Sequence, residues 1–161
     1  MSKERFEQLA VEFRGLLKGA IADGLDTHCS LGKDFPRGCC DDSSLLLAAF
    51  LTDNGHPGAM RVHGEHGGTR EELGTHVWLQ LDGWLIDITG SQFREDGYPQ
   101  PEVLVAEKCD FLSTFTVEDE LEEADFRKKF SNPIEHVRRT LSYFSTTYSD
   151  LMEFREMRRV R

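Results

Sequence analysis

Apolar side chains return three and four positions apart at the start of the chain, as Phe6, Leu9, Val11, Phe13, Leu16, Leu17 and Ile21. That period predicts a helix over 3–22, stopped by Asp23-Gly24. A loop leads to Gly38. A second helix is expected from about Cys40 to Asn54, closed by Gly55 in the left-handed conformation common at helix ends. Its unbroken Leu45 to Leu51 run means burial rather than an amphipathic surface. Residues 59–63, 75–81, 84–89 and 102–106 read as extended, so a helical start gives way to a small meander of strands. After the acidic stretch "VEDELEEADF", Asn132, Pro133 and Glu135 supply an N-cap, a first-turn proline and a capping-box acid for a long C-terminal helix. Ile134, Val137, Leu141, Phe144, Tyr148 and Leu151 form a seam along that helix, suited to docking on the domain or to self-association through 134–151. The order is that of an α+β protein. A single domain over 1–161 is expected, with a core at about 28–110 and a C-terminal helical segment at about 118–161.

The stretch "THVWLQLDGWLIDIT" carries the sharpest local signal. Asp82-Gly83 between two apolar runs is a two-residue hairpin turn, which sets Leu81 opposite Trp84, Leu79 opposite Ile86, Trp78 opposite Asp87 and His76 opposite Thr89. Alternation then gives one apolar face of Val77, Leu79, Leu81, Trp84, Ile86 and Ile88. The other face holds His76, Trp78, Gln80, Leu85, Asp87 and Thr89. A histidine and a carboxylate thus meet diagonally on adjacent strands, within reach of a hydrogen bond. The expected core is Leu46, Leu47, Phe50, Leu79, Trp84, Ile86 and Ile88.

Composition narrows the chemistry. The chain has 161 residues, 39% hydrophobic, enough for a core without covalent staples. Four cysteines, Cys29, Cys39, Cys40 and Cys109, fit neither a paired framework nor a Cys-x-x-Cys motif, so reduced thiols in a cytosol are expected. Met1 is followed by charged residues, and no run approaches the roughly 20 apolar residues of a membrane span. The expected location is cytoplasmic, with no membrane partner. A formal charge of −10 repels a phosphate backbone, which argues against nucleic acid and favours a neutral or basic substrate.

A thiol in the first turn of a buried helix sits where unpaired N–H groups and the positive dipole end stabilise a thiolate and could hold an oxyanion. If that helix starts against the polar face of the hairpin, Cys40, His76 and Asp87 form nucleophile, base and orienting carboxylate. Asp41 and Asp42 suit a helix N-terminus but oppose a neighbouring thiolate, so one of them should be aimed elsewhere. Cys39 is expected to pack, with modulation of the site as its other reading. His63 and His66, in the glycine-rich "RVHGEHGGTREELG", are expected in a solvated loop at the rim of the site, where the glycines could form a flap. A zinc site from His28, Cys29, Cys39 and His76 matches no structural spacing, and no metal or cofactor is expected.

The segments "GCCDDSSLLLAAFLTDNG" and "HVWLQLDGWLIDITGSQF", within residues 37–93, resemble the core of transglutaminase-like proteins in the papain-like cysteine enzyme group. Gly38, Cys40, Ser44 and Gly55 fit the family frame around its nucleophile. His76 and Trp78 match its His-x-Trp, and Asp87 and Thr89 its Asp-x-Thr. Arylamine N-acetyltransferases resemble the same core. The resemblance implies a central helix with an N-terminal cysteine packed on a small antiparallel sheet, flanked by N- and C-terminal helices, with a Cys40–His76–Asp87 triad. It departs at Asp34, which stands where papain-type enzymes carry an oxyanion glutamine and cannot donate when ionised. The second oxyanion donor is left among Trp78, Gln92 and a backbone amide near Thr27. The implied function is cysteine-dependent acyl transfer through a thioester on Cys40, by a small peptidase or amidase acting on a peptide, protein or small amide. The alternative is a non-catalytic module of the same fold that holds a partner protein through its acidic 117–125 segment and C-terminal helix.

Overall fold

In a computed structural model, which describes residues 2–25, 31–132 and 134–160, helix α1 spans Lys3–Ala22. Phe6, Leu9, Phe13, Leu16 and Leu17 all face inward from it, whereas Val11, counted in the same stripe, lies on the outer side and is 58% exposed. Helix α2, Cys40–Asp53, is buried at every position from Ser43 to Leu51. It ends at Asn54, and Gly55 takes φ 88°.

The strands are β1 (Met60–Glu65), β2 (His76–Leu81), β3 (Trp84–Asp87), β4 (Leu104–Ala106), β5 (Thr116–Val117) and β6 (Glu122–Glu123). They form an antiparallel sheet in the order β4-β3-β2-β1, with β5 and β6 sharing the outer edge of β1. Asp82 and Gly83 both have positive φ, 51° and 83°, as a two-residue hairpin turn of this twist requires. The rungs are Leu81–Trp84, Gln80–Leu85 and Leu79–Ile86. The expected rungs Trp78–Asp87 and His76–Thr89 do not form. The chain leaves the strand at Asp87, whose carboxylate accepts the Thr89 N–H at 2.9 Å, and a 3-10 helix, Gly90–Asp96, follows.

Both faces of the sheet are covered. Leu79, Leu81, Ile86 and Ile88 pack with α1 and α2 in the main core, at whose margin Trp84 is only partly buried. The opposite face carries a separate cluster of Val62, Trp78, Phe93, Phe111 and Phe115. Alternation in the hairpin predicted the apolar face but gave the opposite one a polar character, because the aromatic residues that cover it come from connections far along the chain.

Helix α3 is a single turn, Phe126–Lys129, and α4 spans Glu135–Arg159. The cap of α4 is Ile134 rather than Asn132, whose side-chain oxygen accepts the Ile134 N–H at 3.3 Å; Pro133 lies outside the described residues. Ile134 is 54% exposed, but Phe144, Tyr148 and Leu151 are buried. Phe144 stacks on Phe126 with ring centres 5.6 Å apart, and the Tyr148 hydroxyl donates to Asp53 Oδ2 at 2.7 Å. From Phe144 onward, therefore, the seam packs within the chain. The acidic stretch before α3 is also partly committed. Glu122 pairs with Arg61 and Lys129, and the buried Asp125 caps α3 and pairs with Arg127. Glu118, Asp119 and Glu120 remain exposed. No helix among the described residues is long and apolar enough to cross a membrane.

Candidate active site

The first hydrogen bond of α2 runs from Ser43 N–H to Cys39 O at 3.0 Å. Cys40 is the first helical residue, so its N–H and the next two lie ahead of that bond with no intrahelical acceptor. Cys39 is the cap and is almost wholly buried. Its thiol donates to the Arg37 carbonyl at 3.2 Å, and burial pushes it above the ordinary thiol value. Of the adjacent cysteines, Cys39 packs and Cys40 is the one partly open to solvent.

The hairpin brings the other two members together. His76 Nε2 lies 2.8 Å from Asp87 Oδ2, with His76 at 0% and Asp87 at 3% exposure. The other carboxylate oxygen of Asp87 accepts the Thr89 N–H at 2.9 Å and its hydroxyl at 3.3 Å. A Cβ at Gly90 would sit 2.8 Å from Oδ2, so the turn closes over the carboxylate only because that residue has no side chain. Burial works against charge on both groups, but their attraction and hydrogen bonds outweigh it. Asp87 is held below the usual carboxylate range. His76 is raised to about 9 against the pull of burial, through the charge and hydrogen bond of Asp87 first and then through the neighbouring Cys40 thiol. The opposite ring nitrogen, Nδ1, is buried and makes no hydrogen bond. Cys40 therefore acts on the imidazole's protonation without a hydrogen bond to Nδ1.

Three aromatic rings hold the imidazole. Phe93 meets it edge-on, at 5.0 Å between ring centres and 88° between planes, while Trp78 and Phe115 lie at 5.7 and 5.8 Å. Phe115 fits because of two glycines. A Cβ on Gly64 would come within 2.6 Å of the Phe115 Cβ, and one on Gly67 within 2.2 Å of its ring. The solvated loop expected over "RVHGEHGGTREELG" is corrected at His63 and found at His66, which is exposed just beyond the strand. His63 lies inside β1, His66 follows directly on it, and Gly64 and Gly67 allow the close packing of Phe115.

The two aspartates after the cysteine are also resolved in part. Asp41 takes Arg61 of β1 in a bidentate ion pair, at 2.8 Å to Nε and 2.7 Å to Nη2. Nothing in the sequence marked Arg61 as its partner. Among the oxyanion candidates, the Gln92 side-chain amide donates to the Thr89 carbonyl at 3.0 Å, and the Trp78 indole N–H is buried without a partner. Asp34 is exposed. Thr27 lies outside the described residues, as do His28 and Cys29 of the zinc set.

No protein-family model, curated protein or solved structure matches the chain.

Proposed function

We propose that the chain is a cysteine-dependent acyl-transfer enzyme, a small peptidase or amidase, with a papain- or transglutaminase-like core built from α2 and the β2–β3 hairpin. The observation that carries the reading is a buried His76–Asp87 pair at 2.8 Å, whose other imidazole nitrogen is unpartnered beside a thiol on the first residue of a helix. A histidine that is protonated up to about pH 9 is a counter-ion for a thiolate and a proton donor for a leaving group. The Cys40 sulfur adds to the carbonyl carbon of an amide or thioester. The developing oxyanion is met by free N–H groups of the first turn of α2. Collapse breaks the bond to the leaving amine or thiol, which takes the Nδ1 proton, and leaves a thioester on Cys40. Water then adds to the thioester carbonyl as His76 accepts its proton, the C–S bond breaks, and a carboxylate departs with the thiol restored. Asp87 keeps Nε2–H bound throughout and so fixes the tautomer that points Nδ1 at the reaction.

Incubation with p-nitrophenyl acetate, followed by intact-mass and peptide analysis, tests the reading. The expected result is one acetyl group on Cys40, absent from Cys40→Ser and formed much more slowly in His76→Gln. Acetylation of Cys40 at no more than the rate of Cys109 in folded protein would overturn it in favour of the non-catalytic module.

A further inference from the structure

A cavity of about 650 Å³, whose lining includes none of Cys40, His76 and Asp87, lies between α1, the end of the 3-10 helix and the approach to β4. It falls within the range of small-molecule sites. Its polar lining is Arg14, Lys18, Arg94 and Glu102, and its apolar lining includes Val11 and Val103. In a chain with a formal charge of −10, this wall is locally positive.

Two of the three cations, Lys18 and Arg94, are exposed, and the third, Arg14, is held by the fold. Lys18 is exposed and makes no ion pair among the described residues. Arg94 is exposed and gives its Nε to the Gln100 carbonyl at 2.8 Å. Arg14 is 5% exposed. It is fixed by Nε to the Ile88 carbonyl at 2.9 Å and by Nη2 to the Ser91 hydroxyl at 3.3 Å. Its Nη1 reaches Glu102 at 3.5 Å, a carboxylate more than half exposed. Burial, and next the like charge of Arg94 after the opposing pull of Glu102, hold Arg14 below its ordinary value. An anion between the two guanidinium groups would relieve that repulsion.

Gly15 supplies an independent observation. It lies within α1, where glycine costs about 1 kcal/mol relative to alanine, and it lines the same cavity. A Cβ there would meet nothing within 4 Å. Neither a turn nor a close contact inside the protein calls for glycine, but a side chain at this position would project over the cavity floor.

We propose that this cavity binds a small organic dianion. Its phosphate or paired carboxylates would lie on Arg14, Lys18 and Arg94, and its carbon skeleton over Val11 and Gly15. Thermal-shift and calorimetric titrations of the full chain with phenyl phosphate and with succinate, each against sodium chloride at matched ionic strength, test it. The expected result is a saturable stabilisation by at least one probe. A response to phenyl phosphate alone assigns the site to phosphomonoesters, to succinate alone to dicarboxylates, and to both, to the dianionic charge itself. Gly15→Leu should leave basal stability equal or higher, since it removes a helix-interior glycine, and yet abolish the response. Lys18→Gln combined with Arg94→Gln, both exposed, should weaken binding at least about tenfold; this pair decides alone should Gly15→Leu fail to fold. Absence of a saturable response to either probe overturns the proposal, as does a response that survives the double substitution.

Discussion

Asp41, the residue after Cys40, holds Arg61 of β1 by two hydrogen bonds of 2.8 and 2.7 Å. The pair ties the start of α2 to the sheet and cancels, at the very next residue, a charge that would otherwise oppose a thiolate. Replacing Arg61 with Gln strands the Asp41 charge beside the site, and iodoacetamide labelling of Cys40 at pH 7 should slow about three- to tenfold. Replacing Asp41 with Asn in the same protein should restore most of the rate. Peptide-level kinetics check both. An unchanged rate in Arg61→Gln would show that the aspartate does not act on the sulfur.

The His76–Asp87 pair predicts a pH dependence of stability. The imidazole's folded value, about 9, lies above the roughly 6.5 of an unfolded histidine. Its contribution is therefore fully present below about pH 6.5 and lost as pH rises through about 9. Asp87 is depressed, so its contribution is present above the unfolded carboxylate value of about 3.9 and lost as pH falls through the lower, folded one. Denaturant titrations from pH 6 to 10 should show wild type losing about 3 kcal/mol that His76→Gln does not lose. Parallel curves for the two proteins would contradict the ion pair.

Ile86 lies opposite Leu79 in the hairpin at 1% exposure and belongs to the core beneath α2. Truncation to alanine should cost about 2–5 kcal/mol. Urea unfolding measures this directly, and a loss below about 0.5 kcal/mol would mean the residue faces outward.

The hairpin was the most legible part of the chain, because Asp82-Gly83 fixes the register of the rungs nearest the turn, and alternation the faces, through local chemistry alone. The same alternation placed His76 and Asp87 on one side, where they are found 2.8 Å apart. What covers that side was not legible. Phe93, Phe111 and Phe115 sit in a 3-10 helix and loops with no periodicity, and their packing depends on long-range closure. Val11 shows the limit of reading a helix stripe by hydrophobicity. It fits the spacing loosely, yet faces solvent at 58% because it lies away from the side on which Phe6, Leu9 and Phe13 are stacked. Arg14 and Arg61 gave no signal, since a cation's partner cannot be inferred from spacing when it lies on another element.

Docking of α4 gives a further test. The Tyr148 hydroxyl donates to Asp53 at 2.7 Å, and Arg127 bonds the other oxygen of the same carboxylate at 2.8 Å. Tyr148→Phe should cost about 1 kcal/mol. Phe144→Ala, which removes the ring stacked on Phe126, should cost about 3–5 kcal/mol. Chemical denaturation distinguishes the two. A tyrosine substitution as damaging as the phenylalanine one would show that polar anchoring, not ring packing, seats the helix.

The fit of Phe115 against Gly64 and Gly67 also constrains how this sequence can drift. With only 2.2 Å between a would-be Cβ at 67 and the ring, neither position can enlarge while the other is unchanged. In any related chain that keeps an imidazole boxed in this way, residues 64, 67 and 115 should therefore vary together: alanine or serine at 67 paired with a smaller or displaced side chain at 115. That linked variation, joined to His-x-Trp on the next strand and Asp-x-Thr after the turn, is a pattern by which distant relatives could be recognised when overall identity is too low to reveal them.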